Sequence, residues 1–275
     1  MSGRFLIREA STVGPGVSRL IVEAPRVADH AHPGQFVIVR ATADGERIPL
    51  TICEHDPDSG TIVLVVQDVG RTSRDICSLE TGDELADVLG PLGLATQVDR
   101  FGTCIVVAGG VGTAIALPVA RSLAEAGNEV IAIWGFGTAD QAILTAEIEA
   151  AASRSIVVTE DGSAGEAGLV TNVLADIMKN ISVDRVFAVG PIGMMKAVAD
   201  LTRPAGIPTI ASLNPIMVDG TGMCGGCRVS VGGETRFACV DGHEFDAHLV
   251  DFDQLAARNT AYRSFERCQI EVANG

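Results

Sequence analysis

The chain has 275 residues, enough for two domains and a small third, with a globular apolar content and few aromatics. Its 20 basic and 35 acidic residues give a formal charge of −15, which disfavours nucleic acid and anionic membrane surfaces as partners. Seven cysteines, an odd number, and an N-terminus without an apolar h-region argue against a disulfide framework and for a reducing, cytoplasmic setting; no apolar run is long enough to span a membrane.

From Arg4 to about Leu94, short β-rich runs alternate with turn residues: RFLIREAST, SRLIVEAP, GQFVIVRAT, RIPLTICEHD and GTIVLVVQDVG. Frequent turns without helical periodicity predict a small antiparallel barrel. One of its strands carries Arg47-Ile-Pro49-Leu50-Thr51, which alone reads as a strand with one exposed arginine. Gly70-Arg-Thr72-Ser73 starts a helix-like segment whose amides and hydroxyls suit either a phosphate or an N-cap. Gly90-Pro-Leu-Gly93 is expected to be a turn at a domain boundary.

From Thr103 strands alternate with helices. TCIVVAGGVG leads into TAIALPVARSLAEAG, EVIAIWGFG into ADQAILTAEIEAA, SIVVTEDG into GLVTNVLADIMKN, and RVFAVGP into IGMMKAVADLTR. The alternation predicts a doubly wound parallel sheet with ligands at the carboxyl ends of its strands. Gly109, Gly110, Val111, Gly112 and Thr113 follow the first strand and open its helix, where backbone amides suit a phosphate. This is not a G-x-G-x-x-G match. Its value comes from the other strand ends, Gly135-Phe-Gly137, Glu160-Asp161-Gly162 and Gly190-Pro191, expected to line the same crevice. Met194 is read either with that crevice or, like Met195, as helix core.

After Ile210 the chain turns glycine-rich, then forms a short hairpin (RVSV, TRFACV) and a polar helix-like tail, DFDQLAARNTAYRSFER. Asp219, Cys224, Cys227 and Cys239 have the spacing D-x4-C-x2-C-x11-C. Plant-type [2Fe–2S] proteins use C-x4-C-x2-C and a distant fourth cysteine, so the pattern fits with a carboxylate in the first position. Gly220, Gly222, Gly225 and Gly226 would let the backbone wrap a cluster and turn its N–H groups toward the sulfides. A Cys₃Asp zinc site and plain buried thiols are the competing readings. Asp219 itself reads as a ligand or as the first residue of an Asp-Gly turn, and Cys268 is an alternative ligand far from the loop. The five histidines show no metal-ligand spacing. The tail after Asp253 reads as a partner-binding helix or a packed terminal one.

The order of these parts (R-x-P-L-T barrel, AGGVG domain, G-P-x-x-M-M end, C-terminal cluster loop) resembles the ferredoxin-NADP reductase superfamily across essentially the whole chain. Two branches carry such a loop. The electron-transfer subunit of dihydroorotate dehydrogenase usually has four cysteines, from which Asp219 departs. Met223-Cys-Gly-Gly-Cys-Arg-Val229 and Phe237-Ala-Cys-Val-Asp-Gly242 more closely resemble the small subunit of NADH-dependent reduced ferredoxin:NADP oxidoreductase, also called the sulfide dehydrogenase small subunit. That resemblance implies an FAD-binding barrel over 1–97, an NAD-binding domain over 98–210 and a [2Fe–2S] module over 211–275. It implies Asp219 as a cluster ligand and Arg47 to Thr51 as flavin contacts. It also implies a nicotinamide nucleotide stacked toward the flavin, and a larger partner subunit with another FAD and [4Fe–4S] clusters that bifurcates electrons in a heterodimer. Asp140, with no lysine or arginine beside it, would repel a ribose 2′-phosphate and favours NAD(H) over NADP(H). The function expected is therefore that of an NAD(H)-dependent oxidoreductase subunit. The alternatives are the electron-transfer subunit of another flavoenzyme, such as dihydroorotate dehydrogenase, and a zinc-bound adaptor without activity.

Overall fold

The computed structural model describes residues 5–261. The first part contains β1 (Phe5–Gly14), β2 (Val17–Glu23), α1 (Pro25–Ala28), β3 (Phe36–Arg40), β4 (Ile48–Asp56), β5 (Thr61–Gln67), α2 (Arg71–Cys77), β6 (Glu84–Leu85) and β7 (Asp87–Leu92). Its strands form one sheet in the order β6-β1-β2-β5-β4-β3-β7. Only Ala86 separates β6 from β7, and its N–H donates to Arg40 O at 3.0 Å, so one segment joins both ends of the sheet into a barrel. Leu20, Val22, Val37, Val39, Ile62 and Leu64 alternate inward and are buried, as period-two patterning requires. The expected turn at Gly90–Gly93 starts late. Gly90 and Pro91 belong to β7, whose pairing with β3 continues to Leu92, and an edge strand tolerates a proline.

The second part contains β8 (Thr103–Gly109), α3 (Gly112–Glu125), β9 (Glu129–Phe136), α4 (Thr145–Ala150), β10 (Arg154–Thr159), β11 (Glu166–Ala167), α5 (Val170–Asn180), β12 (Arg185–Val189), α6 (Ile192–Thr202) and β13 (Thr209–Ser212). Cys104 through Ala108 are fully buried, which fits a strand covered on both faces. The helix expected over ADQAILTAEIEAA is shorter. A 3₁₀ turn covers Ala139–Gln141, and Leu144 takes a left-handed φ of 54° just before α4. Ile143 and Leu144 are both buried, so their packing wins over helix propensity.

The third part contributes β14 (Arg228–Val231), β15 (Glu234–Phe237), β16 (Glu244–Asp246) and α7 (Phe252–Thr260). The hairpin β14–β15 is as expected. β16 leaves it and pairs antiparallel with β13, extending the parallel sheet to β11-β10-β9-β8-β12-β13-β16. Phe252 and Leu255 of α7 are buried, and its N-cap Asp251 accepts Gln254 N–H at 2.9 Å. So α7 is a packed helix as far as Thr260; the rest of the tail and Cys268 lie outside the described residues.

The three parts share cores. One face of the parallel sheet packs on α5, α6, Cys227, Val229, Cys239, Phe252 and, from the barrel, Phe36 and Ile38. The other face packs on α3, α4 and the barrel's Val63 and Val65. His243 and Glu244 sit where all three meet. His243 Nδ1 lies 3.0 Å from Ser212 Oγ, and its ring meets Phe36 edge-on at 6.2 Å. Glu244 Oε1 accepts the Thr96 hydroxyl at 2.8 Å.

Burial pushes the Glu244 carboxyl up to about 7, against the Thr96 hydrogen bond, and pushes the His243 imidazole down to about 4. A carboxyl that binds its proton more tightly when folded loses stability as pH rises from its ordinary 4.5 toward 7. An imidazole that binds its proton less tightly when folded loses stability as pH falls from its ordinary 6.5 toward 4. Glu244→Gln removes only the first effect. Urea unfolding from about pH 5 to about pH 8 should show the variant's gain over wild type growing with pH and levelling above about 7. A gain that does not change with pH would contradict this origin.

Candidate functional site

A cleft of about 1480 Å³ runs between the barrel, the carboxyl ends of β8 and β12, and the segment 212–218. In the parallel sheet the chain proceeds outward from β8 through β9 and β10, then returns to β12 on the other side. The cleft therefore opens at the topological switch point, where ligands bind in such sheets. Its barrel wall holds Arg47, Pro49, Leu50, Thr51, Gly70, Thr72 and Ser73. Thr51 pairs across the ladder with Phe36, which brings that end of β4 next to His243. Ser73 Oγ accepts the N–H groups of Val69 and Gly70, both at 3.0 Å, so the start of α2 is capped by its own hydroxyl. Arg47 and Arg71 supply positive charge to this wall, and among the described residues neither has a carboxylate within ion-pair range.

The opposite wall is the β8–α3 turn. Gly109, Gly110, Val111 and Gly112 line the cleft, with Gly190 and Pro191 beside them. Gly110 has φ +56° and nothing within 4 Å of where a Cβ would stand, so the space over it is open, while its N–H donates to Gly135 O at 2.8 Å. At Gly112 a Cβ would sit 2.7 Å from Val189 O, which explains how closely α3 approaches β12. Thr113 is fully buried in the first turn of α3, and its hydroxyl has no hydrogen-bond partner. Met194 packs against Gly109, its sulfur 2.8 Å from the place of a Cβ there, while Met195 is core.

The other two strand ends stand on the same edge of the sheet but outside the wall of this cleft. Val170, Gln141 and Ala167 fill the space over Gly135, Gly137 and Gly162 respectively. Glu160 N–H donates to Phe136 O at 3.0 Å, and Asp161 Oδ1 accepts Ser163 N–H and Oγ–H at 2.9 and 2.6 Å. The Ser163 bonds hold the Asp161 carboxyl below its ordinary value. Ser163 Oγ also accepts Ala139 N–H at 2.7 Å, tying the ends of β9 and β10 together.

The glycine-rich loop closes the far end of the cleft, where Cys224, Gly225 and Gly226 line it. Its four candidate donors fall into two pairs. Cys227 and Cys239 are buried with their sulfurs 3.1 Å apart. Asp219 Oδ2 accepts the Cys224 N–H at 2.6 Å, and Oδ1 accepts Thr221 N–H at 2.8 Å. These amides, Thr221 first, hold the Asp219 carboxyl below its ordinary value. The carboxylate is thus turned onto the loop's own amides, beside Cys224. Burial, then the neighbouring Cys227 thiol, pushes the Cys239 thiol up to about 12, so it ionises at neutral pH only if a metal replaces its proton. Gly226 N–H donates to Cys224 Sγ at 3.4 Å, an amide–sulfur contact of the kind that tunes iron–sulfur centres. Among the described residues no three His, Cys, Asp or Glu side chains gather closely enough to hold a single ion, so the donor set is two pairs rather than one knot. Cys53, Cys77 and Cys104 lie elsewhere, their thiols raised by burial.

Among the cleft residues that sequence reasoning missed are Glu46, Arg71, Arg228, His243 and Arg258. Arg71 is legible, since it sits inside the Gly70–Ser73 motif. Arg228, His243 and Arg258 reach the cleft only through the pairing of β16 with β13 and the packing of α7.

The description of the iron–sulfur cluster binding domain of dihydroorotate dehydrogenase B fits residues 214–251. The chain is 43% identical over 250 residues to a Thermotoga maritima protein named as a homolog of the electron transfer subunit of dihydroorotate dehydrogenase B (NAD(+)), covering 91% of this chain and 88% of that one. It superposes with TM-score 0.93 and 39% identity, over all of both chains, on a chain in a structure of NADH-dependent reduced ferredoxin-NADP oxidoreductase described for flavin-based electron bifurcation. Phthalate dioxygenase reductase, with TM-score 0.59, 18% identity and 83% and 86% of the two chains covered, shares the fold.

Gly110→Ala puts a methyl group into the open wall and a side chain at positive φ, which costs roughly 1–2 kcal/mol in backbone strain. A nicotinamide nucleotide should bind about tenfold more weakly, ~1.4 kcal/mol, as read by equilibrium fluorescence titration. A variant with reduced stability but unchanged affinity would show that Gly110 does not face the ligand.

Proposed function

The chain belongs to the family of dihydroorotate dehydrogenase B electron transfer subunits and their homologs, and from that premise we propose that it is the NAD(H) branch of a flavin-based bifurcating ferredoxin:NADP oxidoreductase. One observation carries the reading. A single cleft is walled by cations on the barrel, by the glycine-rich β8–α3 turn and by the cysteine loop. A two-electron site and a one-electron site thus share one space.

The residues present fit the cofactors. Arg47 and Arg71, outside any ion pair among the described residues, offer charge for an FAD diphosphate, with Pro49, Leu50, Thr51, Gly70, Thr72 and Ser73 around it. Gly109, Gly110, Val111, Gly112, Gly190 and Pro191 form the cradle for the nucleotide, and the Thr113 hydroxyl is an orphaned buried group at the same helix start. We assign the outer part of the nucleotide to Gly135, Gly137, Glu160, Asp161 and Gly162. Asp140 stands at the β9 end bonded to the Thr138 hydroxyl, and its charge favours NAD(H) over NADP(H). Asp219 with Cys224, and Cys227 with Cys239, form the donor pairs for a two-iron cluster. Hydride exchange and single-electron transfer are the chemistry these groups supply when bound. The protein binds, orients and shields them, and no side chain is needed as an acid or base.

By this reading residues 1–97 are the FAD-binding barrel, 98–210 the NAD-binding domain and 211–275 the cluster module. β16 shows how closely the last two are joined, since it completes the sheet of the second. The partner is a larger flavoprotein subunit with FAD and [4Fe–4S] clusters, and the setting is cytoplasmic. No helix among the described residues is long and apolar enough to cross a membrane. A second reading, the electron-transfer subunit of a dihydroorotate dehydrogenase, is favoured by the match over 214–251. Asp219, in place of the usual cysteine, favours the first.

Anaerobically purified protein should carry flavin absorbance and two irons per chain. Asp219→Cys should keep the cluster with a changed midpoint potential and EPR spectrum. A colourless, iron-free preparation would sink the function. An unchanged potential and spectrum in the variant would confine Asp219 to its turn.

A further inference from the structure

Two arginines contact the cysteine loop at adjacent glycines. Only Gly225 and Gly226 separate Cys224 from Cys227. Arg258, from the last turn of α7, donates through Nη2 to Gly226 O at 3.2 Å. Arg228, the residue after Cys227, lays its guanidinium against Gly225, with Nη1 2.6 Å from where a Cβ would stand there. Both side chains line the cleft on one side of the loop and a pocket of about 290 Å³ on the other, with Thr235 and Gln254.

Their charge is not cancelled locally. Among the described residues neither guanidinium has a carboxylate within ion-pair range, although the chain carries a formal −15. Two nearby acids are paired with other cations, and Asp219, Asp241 and Asp251 are turned onto backbone amides instead of these arginines. Glu234 pairs with Arg236 at 2.6 Å, Asp253 with Lys196 at 2.6 Å, Asp251 caps α7, and Asp241 accepts Phe237 N–H at 2.6 Å. The loop thus has two cations outside any ion pair beside the carboxylate of Asp219.

We propose that Arg228 and Arg258 are positioning residues for the electrostatics of the cluster: their charge raises its midpoint potential so that it accepts an electron more readily. This rests on the cluster reading above. Net charge, hydrogen bonds and solvent exposure set iron–sulfur potentials, and reduction adds one negative charge that a neighbouring cation stabilises. Arg228 is exposed and Arg258 half-buried, so the contribution of Arg228 is the more easily screened by salt.

The test is an EPR-monitored redox titration of the full-length protein, with iron assayed on every sample. Arg228→Gln and Arg258→Gln should each keep two irons and titrate at a lower potential than wild type. Arg258→Lys, which keeps the charge but not the guanidinium geometry, should stay near wild type. The gap between wild type and Arg228→Gln should narrow as salt is raised. Gln variants with the wild-type potential would overturn the proposal. So would Arg258→Lys falling as far as Arg258→Gln, since the bond to Gly226 would then be what matters. A wild type without iron overturns the cluster reading instead, and the iron assay tells the two failures apart.

Discussion

The pairing of three residues, Glu244–Asp246, with the edge of a parallel sheet is the contact on which the site depends. Without it the cysteine loop would be a hairpin on a tether. With it, Ser212 opposes Glu244 in the ladder, Leu213 N–H donates to His243 O at 2.7 Å, and the loop is carried to the mouth of the switch-point crevice. Edge strands expose unpaired backbone groups, and covering one is favourable in itself. Here that cover also brings three parts of the chain to one cleft. The junction is then sealed by His243 and Glu244, whose burial opposes the ionised form of each.

The division of charge follows the same geometry. Most of the surface is acidic, yet the arginines in the cleft wall stand at its two ends, Arg47 and Arg71 on the barrel and Arg228 and Arg258 at the loop. The rest of the wall mixes glycines and apolar residues with polar ones, Glu46, Gln67 and Asn214 among them. Cations on the barrel wall suit a long anionic cofactor there, and those at the loop an electron-accepting centre. Several other barrel arginines are matched by acids, as with Arg8 and Glu23 at 2.6 Å, or Arg40 and Asp87 at 2.5 Å. The contrast marks the cleft charges as available to ligands rather than spent on surface pairs of small value.

Much of this architecture is legible in the amino-acid sequence. Alternation of period two marks the barrel strands, and apolar strands followed by helices mark the sheet, because both patterns are local. The cysteine spacing and the glycines at strand ends are local too. Three features are not. Glu244-Phe-Asp246 is too short to show a period, and its partner lies some thirty residues earlier, a pairing that no local pattern encodes. Buried Ile143 and Leu144 override the helix propensity of the residues around them. And the strand ends at Gly135 and Gly162 look equivalent to Gly110 in sequence, although neighbouring side chains fill the space over them while the space over Gly110 stays open. His243 shows no ligand spacing because its role is at a junction, which only the folded chain creates.

The whole reading turns on whether electrons from a nicotinamide nucleotide reach the cysteine loop within this chain. Anaerobic titration with NADH, followed by flavin absorbance and by EPR at low temperature, asks this directly. NADH should bleach the flavin band and produce the EPR signal of a reduced [2Fe–2S] cluster, with Asp219→Cys changing the signal but not its dependence on NADH. A flavin that NADH leaves oxidised, or a reduced flavin with the cluster EPR-silent, would contradict the shared cleft as a path for electrons.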